Sequence, residues 1–211
     1  MEMQMEIGIG YNADPILERN KEIDLEATAT WLHLNPIGER VDWFKAIWFK
    51  GKIPKHAFIA WVNMRHRLHT KDRMISWGFI FPPLCLFCNT HDETRQHLFF
   101  DCEFAREVWI YFTSRVHVFP PLLFEDGIRW LKNPCQDKNV TTILRLSHHA
   151  SVYTIWKERN ARLHDSASRP AAALILEIKS VIRCHLDPLS RAQRLGPNRI
   201  SFLATWFGLF D

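Results

Sequence analysis

Between positions 85 and 102 the chain reads CLFCNTHDETRQHLFFDC, a spacing of C-x2-C-x8-H-x4-C. Cys85, Cys88, His97 and Cys102 offer three thiols and one imidazole within this short stretch. Two thiolates separated by two residues can reach one ion from a tight turn. A second pair at the start of a following helix would close the set around the same ion. Three sulfurs and one nitrogen are a tetrahedral donor set for zinc, and four protein ligands leave no position for a reactive water. The pattern therefore predicts one structural zinc ion. His91, three residues after Cys88, is the rival for the nitrogen position; His97 is preferred because its spacing to Cys102 makes a short, closable second arm. Three thiolates, a neutral imidazole and Zn2+ carry one net negative charge, and Arg95 or Arg106 is expected to offset it.

Other chemistry is weaker. A redox Cys-x-x-Cys expects a strand before it and a helix after it. The lead-in Phe81-Pro82-Pro83-Leu84 fits that poorly. Cys135 and Cys184 stand apart and are expected to be buried thiols. His148 and His149 are adjacent, so on a helix they point about 100° apart and cannot by themselves form one site. His56, His66 and His69 lie close in sequence, but no nucleophile motif or paired carboxylate accompanies them. The expectation is a chain that is not an enzyme and has no small-molecule substrate.

The elements that must position these residues are helices. Almost no period-2 alternation is present, and eight glycines in 211 residues are too few for a loop-rich sandwich. The fold class is all-α, a helical domain with an irregular zinc-bound loop–helix segment. A weak helix is expected over Asp14 to Glu26, and a short one over Glu39 to Phe49 with Val41, Phe44 and Trp48 on one face. Pro54 suits the first turn of the next helix, which carries Phe58, Trp61, Arg65 and Leu68 along a stripe. Thr70 is the expected N-cap, and Gly78 the C-terminal glycine, of a third helix. Phe104, Val108, Tyr111 and Phe112 give an amphipathic helix after the cysteine segment. Asn139 to His164 reads as a long helix with Ile143, Leu146, Ala150 and Tyr153 inward. Ser168 as N-cap and Pro170 in the first turn open a last clear helix bearing Leu174, Ile178, Val181 and Ile182. The double proline Pro120-Pro121 is the best internal boundary. The expected organisation is a poorly defined segment 1–30, a zinc-binding domain 31–118 and a helical region 119–211.

Nine tryptophans and fifteen phenylalanines should dominate the core, and 47% hydrophobic residues is a globular composition. The net charge of +4 permits nucleic-acid contact without demanding it. Five cysteines, three of them clustered, do not form a secreted disulfide framework. The acidic start MEMQMEIGIGYNADP is unlike a signal peptide, and no apolar run reaches the length of a membrane span. A reducing intracellular compartment is expected, with no membrane partner.

Several motifs together resemble a known family. They are Val41-Asp42-Trp43 leading to Ile47-Trp48-Phe49, Ile53-Pro54-Lys55-His56-Ala57-Phe58 with Trp61, and Arg67-Leu68-x-Thr70-x-Asp72-Arg73 followed by Trp77-Gly78. To these add Cys85-x-x-Cys88, Glu93-Thr94, His97-Leu98-Phe99-Phe100-x-Cys102 and Val108-Trp109. From Trp31 to Phe112 the chain resembles the zinc-binding domain that follows the polymerase in plant non-LTR (LINE-type) retrotransposon reverse transcriptases. Ile155 to Arg162 resembles, less closely, the segment that often follows this domain. The resemblance implies zinc on the four residues named above, and it favours His97 over His91. It also implies that Trp48, Phe58, Trp61, Trp77 and Trp109 are core positions. The family's polymerase uses an Asp-Asp pair to hold two metal ions; this sequence has no Asp-Asp, and no ribonuclease H carboxylate set is recognisable.

The resulting expectation is a non-catalytic zinc module assisting RNA or DNA binding, with nuclear residence suited to such an origin. Its candidate phosphate contacts are Lys50, Lys52, Lys55, Arg65, Arg67, Lys71 and Arg73. The competing expectation is a structural or protein-interaction scaffold, or a decayed retroelement fragment, with an exposed aromatic tail of Phe202, Trp206, Phe207 and Phe210.

Overall fold

The computed structural model describes residues 41–164, 168–193 and 199–210, so the expected helix at Asp14 to Glu26 lies outside the described residues. The chain divides into two compact units, Met1–Phe44 and Lys45–Asp211. Among the described residues the regular elements are helices, with one isolated antiparallel bridge between Leu84 and Asp92. In chain order they are α1 (Phe44–Ile47), α2 (Pro54–Met64), α3 (Lys71–Ser76), a π-helical turn (His97–Asp101), α4 (Glu103–Ser114), α5 (Phe124–Trp130), α6 (Lys138–His164), α7 (Ala171–Arg191) and α8 (Phe202–Phe210). None of these helices is long and apolar enough to cross a membrane.

The organiser of the larger unit is α6, which packs against α2, α4, α7 and α8. Its inward side holds Ile143, Leu146 and Ala150 as the periodicity predicts, but Leu144, Val152 and Ile155 are buried as well. A helix enclosed on most sides buries polar groups too, here Ser147, His148, His149, Glu158 and Arg159. Tyr153 is only half-buried and stacks on His56 of α2 at 4.5 Å.

Pro54 opens α2 as expected, but the buried face is rotated from the expected stripe. His56, Ala57, Ala60, Asn63 and Met64 point inward, while Phe58 and Arg65 are exposed. The reason is steric: the small Ala57 and Ala60, both fully buried, allow α2 to approach α6 closely. Large aromatics on that face would hold the helices apart. Helix α1 is shorter than expected; from Lys45 onward Ala46, Ile47 and Phe49 are buried and Trp48 is not.

Of the five aromatics expected in the core, Trp109 alone is buried; Trp48 and Trp61 are half-buried, Phe58 is 46% exposed and Trp77 50% exposed. Their surfaces are covered by neighbours instead. Lys52 sits 5.8 Å over Trp48, Phe58 and Trp61 lie 5.7 Å apart, and Arg73 sits 4.8 Å over Trp77. The aromatic tail folds into α8, with Trp206 and Phe210 fully buried and Phe207 half-exposed, so it is not the exposed patch the scaffold reading needs.

Local boundaries differ for identifiable reasons. Pro170 is the N-cap of α7 and Ser168 lies outside it; the Arg169 N–H ahead of the helix is taken by Glu158. Gly78 adopts φ +91° just after α3, the left-handed position expected of a helix-ending glycine. In α5 the absence of a side chain at Gly127 admits Phe100 of the π turn; a Cβ there would meet the Phe100 ring at 2.8 Å.

Candidate metal centre

The cysteine segment is a tight hairpin feeding a helix. Cys85 N–H donates to His91 O (2.8 Å) and Glu93 N–H to Pro83 O (2.8 Å), which closes the loop that carries Cys85 and Cys88. Asn89 turns the chain with φ +54°, and its N–H returns to Cys85 O at 2.9 Å. The second arm begins where the Thr94 hydroxyl accepts the His97 N–H at 3.0 Å. His97 opens the π turn and Cys102 is the N-cap residue of α4, its own N–H bonded to His97 O at 2.8 Å. The extra residue of the π turn brings positions 97 and 102 to the same side.

The outcome is one cluster: a donor atom from each of Cys85, Cys88, His97 and Cys102 lies within 4.8 Å of the others. Cys85 Sγ and Cys102 Sγ are 3.9 Å apart, and Cys88 Sγ and His97 Nε2 3.3 Å apart. Zinc–sulfur bonds of about 2.3 Å and zinc–nitrogen bonds of about 2.0 Å set tetrahedral edges of roughly 3.4–3.8 Å, so the donors already stand at ligand separations. Cys85 and Cys102 are fully buried, Cys88 half-buried and His97 nearly buried.

The protonation states suit a cation. The bond from Cys102 pulls the Cys85 thiol down to about 5, against burial. The same contact, with burial, pushes Cys102 up, so the two sulfurs share a proton in the metal-free chain. Burial raises Cys88, but hydrogen bonds from the Thr90 side chain and backbone, His91 and His97 outweigh it and bring Cys88 to about 6. Burial lowers His97, and the neighbouring Cys88 and Cys85 sulfurs overcome it to leave its pKa raised. A divalent ion would replace these shared protons.

His91 is exposed, bonded through Nδ1 to the Thr90 hydroxyl at 2.9 Å, and stands beside the His97 ring at 5.2 Å. It is a neighbour of the cluster and not one of its four members. Arg95 points away to Glu125 (2.7 Å) and Asn63 O (3.2 Å), and Arg106 is exposed. The cation that reaches this loop from α6 is Arg162, lying over the stacked rings of Phe87 and Phe104 at 4.8 and 4.7 Å and donating to Leu86 O at 3.4 Å. The isolated cysteines are more open than expected: Cys135 is half-buried and Cys184 exposed.

Sequence reasoning missed the residue that fastens this loop to the fold. Glu93 is fully buried, and its Oε1 accepts from Arg159 Nη2 (2.8 Å), Arg159 Nε (3.0 Å) and Lys71 N–H (3.1 Å). Thr70 is the N-cap residue of α3 as expected, but its side chain makes no cap bond, and Glu93 takes the Lys71 N–H of the first turn instead. Lys71 is a further correction. It is buried and its Nζ donates to Leu84 O at 2.6 Å, so it clamps the loop and cannot face a phosphate. Of the other candidate cations, Lys50, Lys55, Arg65 and Arg67 are exposed, and Lys52 and Arg73 are half-buried. The grouped histidines separate: His56 is buried on Tyr153, His66 contacts Glu125 at 3.1 Å, and His69 meets the Trp77 edge at 5.4 Å.

No curated protein and no solved structure matches the chain. Residues 26–109 match the family described as zinc-binding in reverse transcriptase. Three thiols and an imidazole are gathered at ligand separations inside that matched stretch, and with the match they make one zinc ion its cofactor.

Proposed function

We propose that Cys85, Cys88, His97 and Cys102 are the four ligands of a structural zinc ion in a non-catalytic module, derived from a plant non-LTR retroelement reverse transcriptase, that assists binding of RNA or DNA. The observation that carries this reading is the completed donor set, since four protein donors within 4.8 Å satisfy a tetrahedral ion without water. Zinc supplies folding energy here, and the chain's residues orient the loop around it. Nucleic acid would be held by phosphate contacts from the solvent-facing cations Lys50, Lys55, Arg65 and Arg67 with the half-buried Lys52 and Arg73. Nuclear residence belongs to the same reading.

The test is metal content of the purified chain beside Cys102→Ser, together with anisotropy of labelled single-stranded RNA and DNA at low salt. One zinc per chain, absent from the variant, with salt-sensitive strand binding, supports the reading. A zinc-free folded chain removes the metal part, and zinc-loaded protein with no affinity for either strand removes the nucleic-acid part.

A further inference from the structure

Between the C-terminus of α2, the turn after it and α3 lies a cavity of about 510 Å3. Its walls include Arg65, Arg73 and Arg95 with His66, against a single acidic residue, Asp72. Arg95 is engaged with Glu125, as is His66, and Asp72 is exposed. Arg65 makes no ion pair among the described residues. Arg73 Nη1 is buried without a hydrogen-bond partner, and its guanidinium stands over Trp77.

The second observation is Asn63. This residue is wholly buried and lines the cavity, yet neither its amide nitrogen nor its amide oxygen has a partner. Its backbone carbonyl is satisfied twice, by His66 N–H at 3.0 Å and Arg95 Nη1 at 3.2 Å. The sharp turn that brings Arg65 and His66 around, with His66 at φ +53°, is therefore firmly tied. Buried amides without partners cost roughly 1–3 kcal/mol, so polar atoms left this way mark a place where a ligand's atoms complete the bonding.

We propose that this cavity receives a phosphate group of a single-stranded nucleic acid, an inference that rests on the nucleic-acid reading above. Arg73 and Arg65 supply charge, and the Asn63 amide supplies a neutral donor. The half-exposed Trp77, flanked by Arg73 and by His69, offers an adjoining ring on which the neighbouring base can stack. Lys45 and Lys138 are exposed, lie outside the cavity, are not among the proposed phosphate contacts, and serve as controls.

The experiment uses the zinc-loaded full chain and a labelled 12-mer of deoxythymidylate or uridylate, titrated across a salt series. Arg73→Gln and, separately, Arg65→Gln at the exposed wall should each weaken binding about tenfold, the loss expected for one charged hydrogen bond. Each should also flatten the logarithmic salt slope by about 0.7, the value for one single-strand phosphate contact. Trp77→Ala should weaken binding further, whereas Lys45→Gln and Lys138→Gln should change it less than twofold. The proposal is overturned if both arginine variants stay within twofold of the parent, or if the lysine controls lose as much as they do; strand binding itself would then stand. A parent that binds no strand but shows a thermal shift with inorganic phosphate, lost in Arg65→Gln, keeps the phosphate site and removes the nucleic acid as its source. A parent with neither response overturns both.

Discussion

Glu93→Ala should be among the most damaging single substitutions outside the cysteines. Glu93 is fully buried and Arg159 is 2% exposed, so neither charge has water to fall back on. Removing the carboxylate strands a guanidinium in the interior, together with the Lys71 N–H that begins α3. Breaking a buried pair this way costs about 3–5 kcal/mol, against a total of about 5–15 kcal/mol for a native domain. With a urea slope of about 2 kcal/mol per molar, the unfolding midpoint should fall by roughly 1.5–2.5 M. Glu93→Gln keeps an oxygen for the same donors and should lose about half as much. Adding Arg159→Met to Glu93→Ala removes the stranded charge, so the double variant should be more stable than Glu93→Ala alone. Urea unfolding of the zinc-loaded parent, Glu93→Ala, Arg159→Met and the double variant, with Glu93→Gln beside them, followed by far-UV circular dichroism, measures the cycle. A loss under about 1 kcal/mol for Glu93→Ala, or a double variant that costs the sum of its singles, would refute the claim that this pair fastens the loop.

Removal of zinc by a chelator should unfold residues around 85–102, because structural zinc contributes on the order of 10 kcal/mol of binding free energy in zinc-finger peptides; amide exchange that stays slow there after chelation would count against it. His91→Ala should retain one zinc per chain, since His91 is outside the cluster, and a metal-free variant would reinstate it as a ligand. Acid should destabilise the chain through its buried histidines. Burial holds His148 at about 3 and His56 at about 4, and burial aided by His148 and His56 drives His149 well down, all from 6.5. Folded values below the unfolded one mean that stability is complete above pH 6.5 and is lost as pH falls toward the folded values, by about 2 kcal/mol each for His148 and His56 at pH 5. His148→Leu should remove one such increment from the pH 7-to-5 difference, and an unchanged slope in that variant would disprove the assignment.

What was legible in the sequence was what local spacing controls. The four ligands fall within eighteen consecutive positions, so turn and helix geometry alone brings them together, and the structure places them within 4.8 Å. Helix α6 was legible because its apolar period runs for many turns. The inward face of α2 was not, because Phe58 and Trp61 outweigh Ala57 and Ala60 in any count of hydrophobic residues, while close helix packing rewards the alanines. Lys71 looked like a solvent-facing cation because its partner, Leu84 O, is set by how the loop folds over α3. Arg95 and Arg106 looked close to the metal by sequence, yet the arginine on the loop's Leu86 carbonyl is Arg162 of α6, more than seventy residues from the carbonyl it binds.

The pairing of Glu93 with Arg159 spans 66 residues and has no local signature, although each lies in a stretch that carried the family resemblance. Their contact gives a physical reason for the two stretches to occur together. The metal loop is held from outside by Arg159 through Glu93, by Lys71 through Leu84 O, and by Arg162 through Leu86 O. Two of these three fasteners are on α6, so the loop cannot be ordered fully by zinc alone. A fragment ending before α6 keeps every ligand but deprives Glu93 of Arg159, its charged partner. Such a fragment should bind zinc more weakly than the full chain, and equal affinities in a competition titration would show that the ligand spacing alone sets the site.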